Sequence, residues 1–269
     1  MRIATLIGIE WLKTRQRVAF WAASLSFFTL ILIGLGSSYY FASRAGRAIG
    51  DPLWEGLTGS ASIGLLVVLV AIVLLTASER TWRTERQNVI DGLSRTQYFV
   101  GKLMLVIGFV LLLWLGGILL TAIFELLNRS LPGAVEHPFI TRADAVGLGT
   151  LFLYLLLAGT IGLFFGTVSA TSGAGLALAF LFLMLQAPIM FLMARQGGLW
   201  QEVTAYLPMQ VLQNLLEPLS AADHAARDAM LRQNGIPLSL TARTNLLVAL
   251  LYGLLFCAGA WYSIRRRDL

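Results

Sequence analysis

Side chains able to do covalent chemistry are few in these 269 residues, and they do not cluster. His137 and His224 fall in stretches that read as loops, with no grouped partner for acid–base or metal work. Ser172-Gly173 stands at a predicted turn with no histidine on any apolar segment, so no nucleophile–base pair forms. Cys257 is the single cysteine, which excludes an intramolecular disulfide and a cysteine metal cluster. No GxxxxGK[ST] phosphate-binding loop is present; Gly101-Lys102 ends a different pattern and enters an apolar segment. What remains is the chemistry of charge pairing and docking. It is concentrated in one run, Glu79 to Lys102, with Arg80, Arg83, Arg86, Arg95 and Lys102 against Glu79, Glu85 and Asp91.

That run carries the punctuation of a built hairpin. Thr84-Glu-Arg-Gln87 fits a capping box, in which the Thr84 hydroxyl accepts from the Gln87 amide and the Gln87 side chain accepts from the Thr84 amide. Glu85 suits the positive end of the helix dipole, and Gly92 follows Asp91 where a left-handed terminator belongs. The spacing predicts a short helix over Glu85–Asp91. Ser94-Arg-Thr-Gln97 forms a second capping box that launches the next long helix. Val89, Ile90 and Leu93 leave an apolar knob on this charged element, the form of something that docks into a groove on another protein. The plainer alternative is a tidy turn with a solvated charged face.

The elements that position the hairpin are apolar. Hydrophobic residues make up 57% of the chain and charged residues 13%, with a mean hydropathy of +0.76. Soluble domains carry roughly 25% charged residues, so the composition points to a bilayer as solvent. At about 20 apolar residues per crossing, six spans are expected near 18–40, 59–78, 103–127, 145–168, 174–194 and 246–264. The fold class is therefore an all-α membrane protein forming a single domain over 1–269. Ile3, Leu6, Ile7 and Trp11 share a helical face before the first span, which predicts an amphipathic helix in the interface; a simple extension of the first span is the alternative.

Charge sets the expected orientation. Residues 1–17, 79–102 and 265–269 together hold twelve basic and five acidic residues, while the rest holds eight and nine. One side is thus +7 and the other −1, which by the positive-inside rule puts both termini and the hairpin in the cytoplasm. The basic balance reflects topology, not nucleic-acid binding, since no basic surface interleaved with aromatics remains. Outside, residues 41–60 read as a short solvated loop. Between the last two spans Trp200, Val203, Leu207, Val211 and Leu215 recur at three- and four-residue steps, with Pro208 and Pro218 dividing short helices. Such amphipathic pieces dip into the outer leaflet or cap the bundle, and a polar helix is expected over Ser220–Gln233. Gln186 and Pro188 predict a kink in the fifth span. Gly159, Gly162 and Gly166 on the fourth span, and Gly253 and Gly259 on the sixth, are expected at helix–helix faces.

The span cores hold no Asp, Glu, Lys, Arg or His; Glu125 lies near an outer end and Gln186 is the main polar side chain at depth. An ion-coupled carrier needs ionisable or ion-liganding groups at mid-membrane, which disfavours that alternative. Glu79, Arg86, Gln87, Ile90, Asp91, Gly92, Leu93, Ser94, Arg95, Gly101 and Lys102, together with the topology, resemble the permease subunits of ABC-2-type ABC transporters. The resemblance is closest to the bacterial branch of peptide-antibiotic export and immunity permeases. It implies a multi-pass protein of the bacterial cytoplasmic membrane, working with an ABC ATPase subunit and a second permease copy, most simply as a homodimer. It also implies that the hairpin (Glu79, Arg83, Glu85, Arg86, Gln87, Val89, Ile90, Asp91, Gly92, Leu93, Ser94 and Arg95) seats in the ATPase. ATP and magnesium would then belong to that partner, and no cofactor to this chain. Apolar surfaces and missing deep charges suit export of a hydrophobic or amphiphilic cargo; mechanical work or signalling without a transported solute is the alternative.

Overall fold

A bilayer core offers no water to a peptide group, so a spanning chain must satisfy its N–H and C=O groups internally, which a helix does within one segment. The computed structural model describes residues 3–46, 48–49, 54–81, 93–132, 138–196, 198–216 and 240–266, and their regular structure is helical. The described elements are α1 (Ile3–Arg15), α2 (Val18–Arg44), α3 (Trp54–Gly59), α4 (Ala61–Thr81), α5 (Arg95–Arg129), α6 (Arg142–Val168), α7 (Ser172–Gln196), α8 (Leu199–Thr204), α9 (Pro208–Leu215) and α10 (Ala242–Arg265). Six of them, α2, α4, α5, α6, α7 and α10, are long and apolar enough to cross a membrane.

The most apolar windows of α4 and α6 are 61% and 67% buried, against 11% and 17% for α7 and α10, so the first pair forms the centre and the second the periphery. The central seam follows from glycine. A Cβ on Gly162 would stand 3.0 Å from the Leu69 carbonyl oxygen and 3.2 Å from Ile72 Cβ, and one on Gly166 would collide with the Thr76 hydroxyl. Gly159 likewise meets Val106 and Val68. Small residues let backbones approach where lipid supplies no net hydrophobic drive between helices. Gly259 packs against Phe164 as expected, but among the described residues a Cβ on Gly253 would meet nothing within 4 Å.

Several boundaries differ from the sequence expectation. α5 is one helix of 35 residues, about 52 Å long at 1.5 Å per residue, and so outruns a hydrocarbon core of about 30 Å. Its extra turns lie mostly at the start, where the Ser94–Gln97 capping box forms as predicted. The loop expected to be solvated at 41–60 contains α3, whose Trp54 and Leu57 are each 2% exposed. Trp54 Nε1 donates to the Phe139 carbonyl at 2.8 Å and its ring packs edge-on against Phe139. Among the described residues, Pro188 lies inside an unbroken α7.

Candidate functional site

Where α4 ends and α5 begins, three helices and the residue that precedes a fourth contribute to a buried cluster of charge. Glu79 comes from the last turns of α4, Tyr98 and Lys102 from the first turns of α5, Arg17 from the residue preceding α2, and Glu10 from α1. Tyr98 and Lys102 stand four apart and therefore share a face of α5. Lys102 is 0% exposed, Glu79 3% and Glu10 8%.

Lys102 Nζ bridges two carboxylates, Glu10 Oε2 at 2.6 Å and Glu79 Oε1 at 2.7 Å. Glu79 Oε1 also accepts from Arg17 Nη2 at 2.9 Å, and Glu79 Oε2 accepts from the Tyr98 hydroxyl at 3.1 Å. Arg17 Nη1 donates to the Leu75 carbonyl and the Ser78 hydroxyl, tying it to the last turns of α4. The Tyr98 ring lies 5.3 Å from Lys102 Nζ, and Lys13 pairs with Glu10 at 3.6 Å. Two acids thus meet two bases in close contact, Lys102 and Arg17, and a third, Lys13, at longer range. Burial of charge is tolerable when each ion is paired and hydrogen-bonded, as here. The cluster welds α1, the start of α2, the end of α4 and the start of α5 into one base.

The inward face of α1 is accordingly polar. Glu10 and Thr14 are buried, while Ile9, Trp11 and Leu12 are exposed, an inside-out pattern that suits a helix with lipid on its outer side. Trp11 is exposed on the side away from Glu10 and Thr14; the side chains of Ile3, Leu6 and Ile7 lie outside the described set, as does Arg2.

Of the residues expected to couple, Arg83, Glu85, Arg86, Gln87, Val89, Ile90, Asp91 and Gly92 lie outside the described residues. So does the Thr84–Gln87 capping box. Leu93, Ser94 and Arg95 are described and solvent-accessible at the mouth of α5. The sequence leaves Glu79 either pairing with a partner's charges or anchoring a helix end; its oxygens are engaged inside the chain by Arg17, Lys102 and Tyr98. Arg95 donates through Nη1 to the Arg265 carbonyl, which brings the end of α10 beside the start of α5. Ser263 donates to the Thr167 carbonyl at 3.4 Å, so the end of α6 joins the same side. The roles of Glu10, Arg17 and Tyr98 were not foreseen.

At the opposite end the amphipathic segment divides at Pro208, which begins α9. Trp200 and Val203 on α8 are exposed, Leu207 is half-buried at the junction, and Pro208, Val211 and Leu215 are buried. α9 therefore caps the bundle. Three side chains from the spans grip its backbone and the preceding turn: Gln186 Oε1 accepts from Met209 N–H at 2.5 Å, Asn245 Nδ2 donates to the Val211 carbonyl at 3.2 Å, and the Tyr252 hydroxyl donates to the Tyr206 carbonyl at 2.7 Å. Gln186, the deep polar residue of the fifth span, thus serves the cap. Pro218, the 220–233 helix, His137, His224 and Arg267 lie outside the described residues.

Paired charge buried where α4 meets α5, six helices long and apolar enough to cross a membrane and a capped far end fit a membrane component of a transporter. The family model for the ABC-2 family transporter protein matches residues 56–262. No curated protein is similar enough to add a relative to that match. The match covers α4 to α9 entire and α10 up to residue 262, and on it the chain belongs to the ABC-2 family of transporter proteins, as a membrane component of an ABC transporter.

Proposed function

We propose that this chain is the permease subunit of an ATP-driven exporter in a bacterial cytoplasmic membrane, with both termini and the hairpin on the ATP side. The hairpin between α4 and α5 seats on a partner ATPase subunit, which holds ATP and magnesium. Two copies of the permease pair, each engaging an ATPase. Closure of the ATPases on ATP pushes the hairpins, and the bundle passes from inward- to outward-facing to release a hydrophobic or amphiphilic molecule.

The observation that carries this reading is the weld at the hairpin's base. A hairpin on a loose base would absorb a push by bending. Here Glu79 of α4 and Lys102 of α5 are joined at 2.7 Å, and Arg17 and Glu10 tie both arms to α1 and α2. α4 is at the centre of the bundle, packed on α6 along the glycine seam. A force on the hairpin thus reaches the middle of the membrane through stiff elements. Leu93, with Val89 and Ile90, supplies the docking knob.

Co-expression of this chain with its ATPase supplies the test. Ile90→Asp with Leu93→Asp should abolish copurification and ATP-dependent efflux while leaving the chain folded in the membrane. An intact complex in that variant would sink the docking role.

A further inference from the structure

Apart from the charge cluster, the start of α5 and the end of α10 enclose a recess lined by Arg95, Thr96, Trp261, Ile264 and Arg265. Arg95 reaches across to the Arg265 carbonyl, so two guanidinium-bearing residues meet in one place. Arg265 lies over the Trp261 ring at 5.2 Å and Arg266 over the Tyr262 ring at 4.7 Å. Among the described residues, no carboxylate is within salt-bridge range of Arg95, Arg265 or Arg266. A guanidinium carries five N–H donors, and a carbonyl and an aromatic face use only part of that capacity. Two such residues lining one recess offer donors that suit a phosphate, which accepts in bidentate fashion. The first turn of a long helix at Thr96 adds a favourable dipole.

The floor of the recess says which kind of phosphate. Trp261 and Ile264 are apolar, and from Trp261 the same face of α10 continues through Ala258, Leu254 and Leu251 at three- and four-residue steps. Leu254 is 69% exposed and Leu251 55%. An exposed apolar stripe that ends in a tryptophan and a pair of arginines has the anatomy of a lipid site, with the aromatic at headgroup level and basic side chains attracting an anionic lipid. We propose that Arg95 and Arg265 bind the phosphate headgroup of an anionic phospholipid whose acyl chain lies along Leu251, Leu254 and Ala258 of α10. Arg95 is also among the residues expected to face the ATPase, but lipid retention is measured on this chain alone, so its failure leaves the coupling proposal standing.

The chain, purified in detergent and offered equal amounts of phosphatidylglycerol and phosphatidylcholine, is examined by native mass spectrometry for retained lipid. The wild type should retain phosphatidylglycerol preferentially. Arg95→Gln with Arg265→Gln should lower that retention about 25-fold, fivefold per arginine, from about 1 kcal/mol for each basic residue near an anionic headgroup. Arg95→Lys with Arg265→Lys should keep most of it, which separates lost charge from lost fold. Arg44→Gln with Arg195→Gln, at the opposite end, should change nothing. Equal retention of the two lipids by the wild type, or undiminished phosphatidylglycerol in the glutamine variant, would overturn the proposal. Displacement of the lipid by excess inorganic phosphate would also overturn it, marking a free-anion site. Disulfide capture of a dimer through Leu254→Cys in a Cys257→Ala background would overturn it too, by giving the stripe to a second copy.

Discussion

Lys102 is the residue on which the base turns. It is fully buried, within 2.7 Å of two carboxylates on different helices. Replacing it by methionine keeps the stem but strands Glu10, whose remaining cation, Lys13, is 3.6 Å away. Glu79 still has Arg17 and Tyr98. Breaking a buried pair by removing one partner costs about 3–5 kcal/mol, so Lys102→Met should markedly lower the thermal midpoint of the purified protein in detergent. Adding Glu10→Gln removes the stranded charge and should recover part of the loss, although it is destabilising in the wild-type background. Two strictly additive losses would mean that Lys102 and Glu10 do not form one unit. Glu79 and Lys102 were visible in the sequence as the ends of the charged run; their mutual bond was not, because pairing across helices leaves no local period. Glu10 was hidden for another reason. α1 reads from its apolar side, and the only sign of the inward face was Glu10, Lys13 and Thr14 at three- and four-residue spacing.

At the scale of elements, signals that act within a few residues carried furthest. The Ser94–Gln97 box formed where its spacing required, and Pro208 opened α9 because its missing N–H costs nothing at a first helical position. Six residues are too few for α3 to show a period, and among its described side chains Trp54 and Leu57, three apart, turn inward. The glycines test the limit of composition: five were expected at helix contacts, and only packing shows which are constrained. Gly162→Ala places a methyl 3.0 Å from a backbone oxygen that cannot swing aside, whereas Gly253→Ala points into open space. Overpacking of this kind costs about 1–3 kcal/mol, so Gly162→Ala should lower stability in a detergent unfolding titration. Gly253→Ala should be neutral or raise it by up to about 1 kcal/mol through helix propensity. If the two variants behaved alike, the seam between α4 and α6 would not be the tight contact described.

The whole molecule has two unlike ends. One gathers Lys13, Arg15, Arg17, Arg95, Lys102, Arg265 and Arg266 around the welded base, and the other is closed by α8 and α9 over the spans. Energy from an ATPase can enter only where ATP is, so the proposal requires the basic end to be cytoplasmic, as the +7 against −1 division of charge predicts. The single cysteine makes this directly measurable. In a Cys257→Ala background, cysteines introduced at the exposed positions Gln16 and Arg266 report on the basic end, and those at Arg44 and Leu199 on the capped end. A membrane-impermeant maleimide applied to intact cells should label the Arg44→Cys and Leu199→Cys variants, and the other two only after lysis. The reverse pattern would put the hairpin outside and remove any route from ATP to the bundle. A split result, with Gln16→Cys labelled from outside and Arg266→Cys protected, would be as damaging: α1 carries Glu10 and Arg17 follows it directly, so neither could reach the carboxylate of Glu79 or the ammonium of Lys102 from the far side of the membrane.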